Sequence, residues 1–184
     1  MFALAGLDRH QSVICLGTFS KSIGPGIRVG YIVAPPALVK PLTVLKGLLN
    51  NGNPWMEHAV LAEFISDGSF DRHLRKVRRL YQIRQTVLIE AIREHFGEAN
   101  IAGSNDRMHL VWTLPSGAMT ADRLSELALE KGIGIYPLEK GASAFVPDDT
   151  WYDAMLMMGF PAVPEGDTRE SIKTLAQIFH SKRG

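Results

Sequence analysis

The apolar and polar positions of the chain alternate with periods that predict a series of short strands and several helices. Apolar residues at steps of three and four predict a long helix over residues 70–96, which Gly97 ends. Shorter helices are predicted over residues 36–49, 55–65, 120–131 and 168–181. Brief apolar runs predict strands over residues 12–16, 27–33, 108–114, 133–137 and 153–160. This order predicts an α/β protein, with a small α/β domain after the long helix.

Composition and charge narrow the class of protein. The 184 residues suggest one domain or one and a half, and a formal net charge of +1 gives no argument for nucleic acid or membrane. The single cysteine, Cys15, excludes an intramolecular disulfide, and no apolar run approaches a membrane span. The N-terminus lacks the basic start of a signal peptide. We therefore expect a cytoplasmic protein that does not associate with membranes.

One turn carries the chemistry. It lies between two strands expected to be buried, and it places Lys21 three residues after Thr18 and seven before Arg28. A partly desolvated lysine amine can lose its proton near neutral pH and attack an aldehyde. A guanidinium with hydroxyls and loop N–H groups suits a phosphate. The set is compatible with an aldehyde cofactor that bears a phosphate, and this describes pyridoxal phosphate.

The same residues carry a family resemblance. Residues 18–31, TFSKSIGPGIRVGY, resemble the Schiff-base segment of class I and II aminotransferases, and most of all that of MocR-type regulators, a branch of the GntR family. Residues 6–9, GLDR, and 68–75, GSFDRHLR, resemble the same branch. The resemblance implies that Lys21 forms a Schiff base with pyridoxal 5'-phosphate. It also implies that Thr18 and Arg28 bind the cofactor phosphate, with Ser20 nearby.

The resemblance implies the C-terminal portion of the fold type I pyridoxal-phosphate transferase fold. Residues 1–69 would be the tail of the large cofactor-binding domain, 70–97 the long connecting helix and 98–184 the small C-terminal α/β domain. An amino acid or amine would be the small-molecule partner, and the protein would be a homodimer. DNA would be bound only through a winged-helix domain, which this chain does not contain.

Each site residue also has a plainer interpretation. Lys21 could be a solvated turn lysine, Arg28 a strand-edge ion-pair partner, and Thr18 a hydroxyl that bonds its own backbone. The full segment favours the cofactor for Lys21 and Arg28, and only slightly for Thr18. A P-loop is excluded because Cys15 and Ser20 occupy the positions of its glycines.

Two departures from the family bear on function. The family's preceding segment supplies an aspartate for the pyridine nitrogen and an aromatic that stacks on the ring, and no counterpart can be placed here; Asp8 is too close to the first strand. Residues 157–160, MMGF, stand where aminotransferases have Arg-Leu-Gly-Phe, so Met157 replaces the substrate-carboxylate arginine. Two hypotheses follow: an aminotransferase-like enzyme, or the effector-sensing half of a regulator that binds without turnover. A truncated gene product that binds little is a third.

The remaining candidates favour structural roles. The basic stretch Arg72–Arg84 is expected to be the solvated face of a helix, with nucleic-acid binding or dimer contact as alternatives. The six histidines show no metal-ligand spacing, and lone residues such as His73 are expected to be structural. Trp112, Phe64 and Trp55 are expected in the core, and residues 155–158 are best explained as core.

Overall fold

A computed structural model describes residues 3–50, 55–103, 108–115, 119–138 and 153–181. The chain divides into two compact units, Met1–Arg75 and Lys76–Gly184. The three-part division expected from the sequence stays a prediction. Among the helices of the described ranges, none combines the length and apolar character needed to cross a membrane.

The first unit contains a two-stranded ribbon and helices. Its elements are α1 (Ala3–Leu7), β1 (Cys15–Thr18), a single 3₁₀ turn (Pro25–Ile27), β2 (Gly30–Val33), α2 (Pro36–Asn50) and α3 (Trp55–Ser66). β1 and β2 pair antiparallel, with Cys15 opposite Val33 and Thr18 opposite Gly30. The ribbon therefore closes next to the turn that carries Lys21.

The predicted bounds of both strands were wrong, for a local reason in each case. β1 does not begin at Ser12 because the carboxylate of Asp8 accepts the backbone N–H groups of Ser12 (3.1 Å) and Val13 (2.8 Å). These groups are turned towards Asp8 instead of a neighbouring strand. β2 begins only at Gly30, since the chain first forms the 3₁₀ turn and then passes through a left-handed residue, Arg28.

The expectation that these two strands are buried was also wrong. Every residue of β2 is exposed, and β1 alternates between half-buried and exposed positions. The burial expected from the sequence rests on the β-branched and aliphatic composition of the two strands alone. A two-stranded ribbon has two faces to cover, so composition cannot show whether a covering layer is present.

The predicted helices of the first unit were confirmed, but neither core residue predicted on α3 is fully buried. α2 and α3 match the predictions within one residue at each end. Phe64 of α3 is half-buried, whereas Trp55, expected in the core, is 72% exposed. Trp55 is the first residue of its helix, where few neighbours are available to cover a large ring.

The long helix α4 (Ser69–Phe96) confirms the strongest periodic signal of the sequence. Asp67 fixes its start by accepting the backbone N–H (2.8 Å) and the hydroxyl (2.6 Å) of Ser69. These bonds, led by the one from the hydroxyl, hold the pKa of Asp67 below its ordinary value. Gly97, at φ 75°, follows the last turn as expected.

The second unit packs helices against one face of a sheet. Its further elements are β3 (Asn100–Ala102), β4 (His109–Thr113), α5 (Ala121–Leu129), β5 (Tyr136–Pro137), β6 (Met155–Gly159) and α6 (Glu165–Ser181). The strands are all antiparallel, in the order β3-β4-β6-β5. The predicted N-cap of α5 is confirmed, because the side chain of Thr120 accepts the N–H of Arg123 at 3.3 Å. β3 was missed, since only Ile101 is a strand-forming residue in that segment.

One hydrophobic core holds this unit together. Trp112, predicted as core, is fully buried, and its ring centroid lies 4.6 Å from that of Phe96. On β6, Leu156 and Met158 face the core, while Met155 and Met157 are half-buried. The core explanation for residues 155–158 therefore holds for two of the four positions, as strand alternation requires.

The loop of residues 8–13, in which Asp8 accepts backbone hydrogen bonds, predicts a dependence of stability on pH. Its hydrogen bonds to backbone N–H groups, led by those of Ser12 and Val13, hold the pKa of the Asp8 carboxyl below its ordinary value. The stabilisation is therefore present above the unfolded pKa, near 4, and is lost as pH falls through the lower folded value. A carboxyl NMR titration should show Asp8 titrating below pH 4, with the Val13 amide shift following the same curve.

Asp8→Asn is the matched control for this titration. It keeps one acceptor oxygen but no titrating group, so its Val13 amide should show no transition below pH 4. An ordinary pKa for Asp8 in the native chain would contradict the hydrogen-bonding pattern of the loop.

Candidate functional site

The turn that carries Lys21 is closed by a single carbonyl oxygen. The carbonyl of Phe19 accepts the backbone N–H groups of Ser22 (3.0 Å) and Ile23 (2.8 Å) and the hydroxyl of Ser22 (3.1 Å). Three donors on one acceptor fold residues 19–23 tightly back on themselves. Lys21 lies at the tip of this turn, and its side chain is exposed.

The aromatic ring of Phe19 holds the turn in place by packing against neighbouring rings. Its centroid lies 5.5 Å from that of Tyr31 on β2 and 5.8 Å from that of Phe70 on α4. Phe70 in turn contacts Phe64 of α3, at 6.0 Å. The turn is thereby held by a strand and two helices of the same unit.

The two ends of the loop meet beside the ribbon. The N–H of Phe19 donates to the carbonyl of Val29 at 3.0 Å, and Val29 is buried. Ser20 and Arg28 each neighbour one end of this hydrogen bond in the chain. The structure thus brings the backbone around Thr18 and Ser20 next to that around Arg28.

Two glycines permit this close approach. A Cβ added at Gly30 would lie 2.7 Å from the carbonyl oxygen of Gly17, and one added at Gly17 would overlap the ring of Tyr31. Real Cβ atoms do not come so close to backbone. Glycine is therefore required at position 30, where the obstacle is backbone, whereas a side chain at position 17 would require the ring of Tyr31 to move.

Arg28 has an unusual backbone conformation. It lies in the left-handed region, at φ 47° and ψ 29°, where a residue with a Cβ carries a cost of order 1–2 kcal/mol. Its side chain is exposed. This conformation turns the chain from the 3₁₀ turn into β2, and a glycine would adopt it with less strain.

Thr18 and Ser20 interact with each other. The Thr18 hydroxyl oxygen accepts the N–H of Ser20 at 3.1 Å, as the plainer interpretation of Thr18 expected. The hydroxyl proton of Thr18 remains available to donate to a ligand. Of the predicted site residues, Thr18, Lys21 and Arg28 are exposed and Ser20 is half-buried, so the turn presents donors without enclosing them.

His73 was not assigned to the site from the sequence. Its Nε2 lies 2.8 Å from the carbonyl oxygen of Ser22, across 51 positions of the chain. The expectation of a structural role is therefore confirmed. No spacing in the sequence signals a contact between residues so far apart.

The basic stretch on α4 contains both exposed and paired residues. Arg72, Arg75, Lys76, Arg78 and Arg79 are exposed, as a solvated helix face requires. Arg84 instead pairs with Glu165 (3.3 Å) and donates to the carbonyl of Pro161, within the second unit. Among the residues that the structure describes, no cluster could hold a metal ion.

Met157 lies in the middle of the second unit's sheet. It is opposite Val111 on β4 and Tyr136 on β5, and it is half-buried. A thioether at this position cannot form the two parallel hydrogen bonds by which an arginine holds a carboxylate. Any carboxylate recognition must come from another residue.

Comparisons with known proteins agree with this geometry. The family profile "Aminotransferase class I and II" matches residues 1–141. The chain is 34% identical to the uncharacterized HTH-type transcriptional regulator YdeL of Bacillus subtilis, over 94% of this chain and 36% of that protein. It is 32% identical to the probable rhizopine catabolism regulatory protein MocR of Rhizobium meliloti, over 96% of this chain and 35% of that protein.

Enzymes are matched as well, at slightly lower identity. The chain is 30% identical to aromatic-amino-acid aminotransferase 1 of Thermococcus litoralis, over 94% of this chain and 40% of that protein. The crystal structure of a multiple substrate aminotransferase from Thermococcus profundus superposes with a TM-score of 0.77 and 26% identity, over 95% of this chain and 42% of that one. The α/β fold expected from the resemblance, a portion of the fold type I transferase fold, is confirmed.

The chain spans between a third and two fifths of the length of these curated relatives. The family and the structural matches imply pyridoxal 5'-phosphate as the cofactor. The resemblance read from the lysine segment is confirmed, and the chain belongs to the aminotransferase class I and II family.

Proposed function

We propose that this chain provides the cofactor-attachment segment of a pyridoxal-phosphate-dependent, aminotransferase-like protein, with Lys21 as the attachment lysine. The observation that carries the proposal is the tightly closed turn itself. It presents an exposed lysine at its tip, with Thr18 and Ser20 before it and Arg28 after it.

The donor set of the turn fits the chemistry of the cofactor. Pyridoxal phosphate supplies an aldehyde, a dianionic phosphate and a ring that withdraws electrons from the reacting carbon. The Lys21 amine would bind the aldehyde carbon. The Arg28 guanidinium would hold the phosphate through charge-assisted hydrogen bonds, with the hydroxyl protons of Thr18 and Ser20 as further donors.

Lys21 would have a second role once an amino acid has displaced it. Its free amine would then be able to take up a proton and return it at a different atom. The fixed turn would keep the amine within reach during this transfer. Since Met157 provides no fork for a carboxylate, the preferred substrate would be set elsewhere in the site.

The exposed apolar surface of the first unit supports a larger assembly around this turn. Leu16 on β1 and Leu48 and Leu49 at the end of α2 are each more than three-quarters exposed. Exposed leucines of this kind support the proposal of an interface with another part of a larger assembly. The relatives are more than twice as long as this chain, and a homodimer with cofactor contacts from both subunits is the assembly that we propose.

A regulator that binds without turnover is the second candidate. Two of the relatives above are named as regulators, at 34% and 32% identity, and Met157 weakens the case for binding the usual amino-acid carboxylate. In this case an amine or amino acid would react with the bound cofactor and shift a conformational equilibrium.

The first test is the identity of the modified lysine. Addition of pyridoxal phosphate to the purified chain should produce a visible absorbance band, and borohydride reduction with peptide mapping should place the adduct on Lys21. Lys21→Ala should lose the band, because no amine remains there to form the attachment. Lys40→Ala, which removes an exposed lysine of α2, should keep it. An adduct on another lysine, or none, would reject the assignment.

Arg28 should affect only ligands that carry a phosphate. Arg28→Ala should weaken the affinity for pyridoxal phosphate by about 10- to 100-fold, as expected for loss of charge-assisted hydrogen bonds. Its affinity for pyridoxal, which has no phosphate, should stay unchanged. Arg93→Ala on α4 is the control for loss of an exposed positive charge. Equal weakening for both ligands would show that Arg28 supports the fold and not the phosphate.

Product formation by the chain loaded with cofactor would distinguish the enzyme hypothesis from the regulator hypothesis. The chain loaded with pyridoxal phosphate should be mixed with single amino acids and small amines, and the solution analysed by mass spectrometry for 2-oxo acid or aldehyde products. We expect about one product molecule per bound cofactor, because the half-reaction consumes one cofactor. A spectral change that saturates with the amine but yields no product would favour the regulator.

A further inference from the structure

The contact between His73 and the lysine turn has a defined chemical direction. A carbonyl oxygen can only accept a hydrogen bond, so Nε2 of His73 must carry the proton that it shares with Ser22 at 2.8 Å. The contact is partly shielded from solvent. It fixes the ring tautomer and occupies the nitrogen that faces the turn.

The histidine ring is itself held by its neighbours. Its centroid lies 5.9 Å from that of Phe64, which also packs against Phe70 at 6.0 Å. Phe70 contacts Phe19, the residue whose carbonyl closes the turn. His73 therefore reaches the turn from a rigid helix within the aromatic cluster Phe19, Phe64, Phe70.

The acceptor of the His73 hydrogen bond, the carbonyl of Ser22, lies next to Lys21 in the chain. The N–H and the hydroxyl of Ser22 both donate to the carbonyl of Phe19, so these two bonds remain inside the turn. The bond from His73 ties the peptide between Ser22 and Ile23, one residue beyond Lys21, to α4. It restrains the orientation of the turn, which bonds within the turn cannot do.

We propose that His73 is a positioning residue for Lys21. By holding the Ser22 carbonyl it would limit the directions in which the lysine side chain can leave the backbone, and so favour attachment of the cofactor. The inference rests on the proposed function of Lys21. His73 would act through Ser22 and would not touch the cofactor, because its Nε2 proton is already used.

Three variants of the full chain separate the hydrogen bond from the packing. His73→Phe keeps a ring against Phe64 but removes the donor, and His73→Gln replaces the ring with an amide that can donate at similar reach. His10→Phe is the matched control, since His10 is exposed and its side chain lies outside the aromatic cluster. Circular dichroism should confirm that each variant is folded.

Two measurements should be made on each variant. The first is hydrogen exchange at the amides of Ser22 and Ile23, which needs no cofactor. The second is the apparent affinity for pyridoxal phosphate, from the absorbance of the Lys21 adduct. His73→Phe should exchange faster and bind more weakly, each by about three- to tenfold, as loss of one hydrogen bond predicts. His73→Gln should recover most of both effects, and His10→Phe should match the native chain.

The outcomes distinguish this inference from the proposed function. If the native chain forms no adduct on Lys21, the proposed function fails and the positioning role fails with it. If the native chain forms the adduct and His73→Phe binds as tightly, the positioning role alone is overturned, even when exchange is faster. If His73→Gln shows the same loss as His73→Phe, the effect comes from the ring and the inference is also overturned.

Discussion

The lysine turn depends on Phe19, which is fixed at three points. Its N–H binds the carbonyl of Val29, its carbonyl accepts three donors from Ser22 and Ile23, and its ring packs between Tyr31 and Phe70. A residue held in this way can move only if the ribbon, the turn and the first turns of α4 move with it. Lys21 is two residues away, so the position of its backbone follows directly from these contacts.

The residues that hold the turn in place differ from the residues that could bind a ligand. The ring of Phe19, which packs against other aromatic rings, holds the turn, whereas the hydrophilic donors Thr18, Lys21 and Arg28 are exposed. The donors are therefore available to a ligand without the loss of any contact that stabilises the turn. The second unit has its own core around Trp112 and Leu156.

The sequence predicted the helices better than it predicted the strands. α2, α3 and α4 were correct to within one residue, because their periodicity is sustained over three or more turns. The strand bounds were wrong because Asp8 binds the backbone of Ser12 and Val13, and because Arg28 is left-handed. The candidate residues lie on one contiguous segment, so a motif could identify them. His73 is 51 positions from its partner, and only the folded chain brings them together.

The left-handed backbone of Arg28 has a consequence for how such proteins change over time. Glycine would relieve the strain at this position, so stability alone favours Arg28→Gly. Under the proposed function, the need for the guanidinium opposes that replacement. Among descendants of this chain, a glycine at position 28 would therefore mark lineages that no longer need to bind an anion there. In such lineages the turn would lose anion binding before it lost its shape.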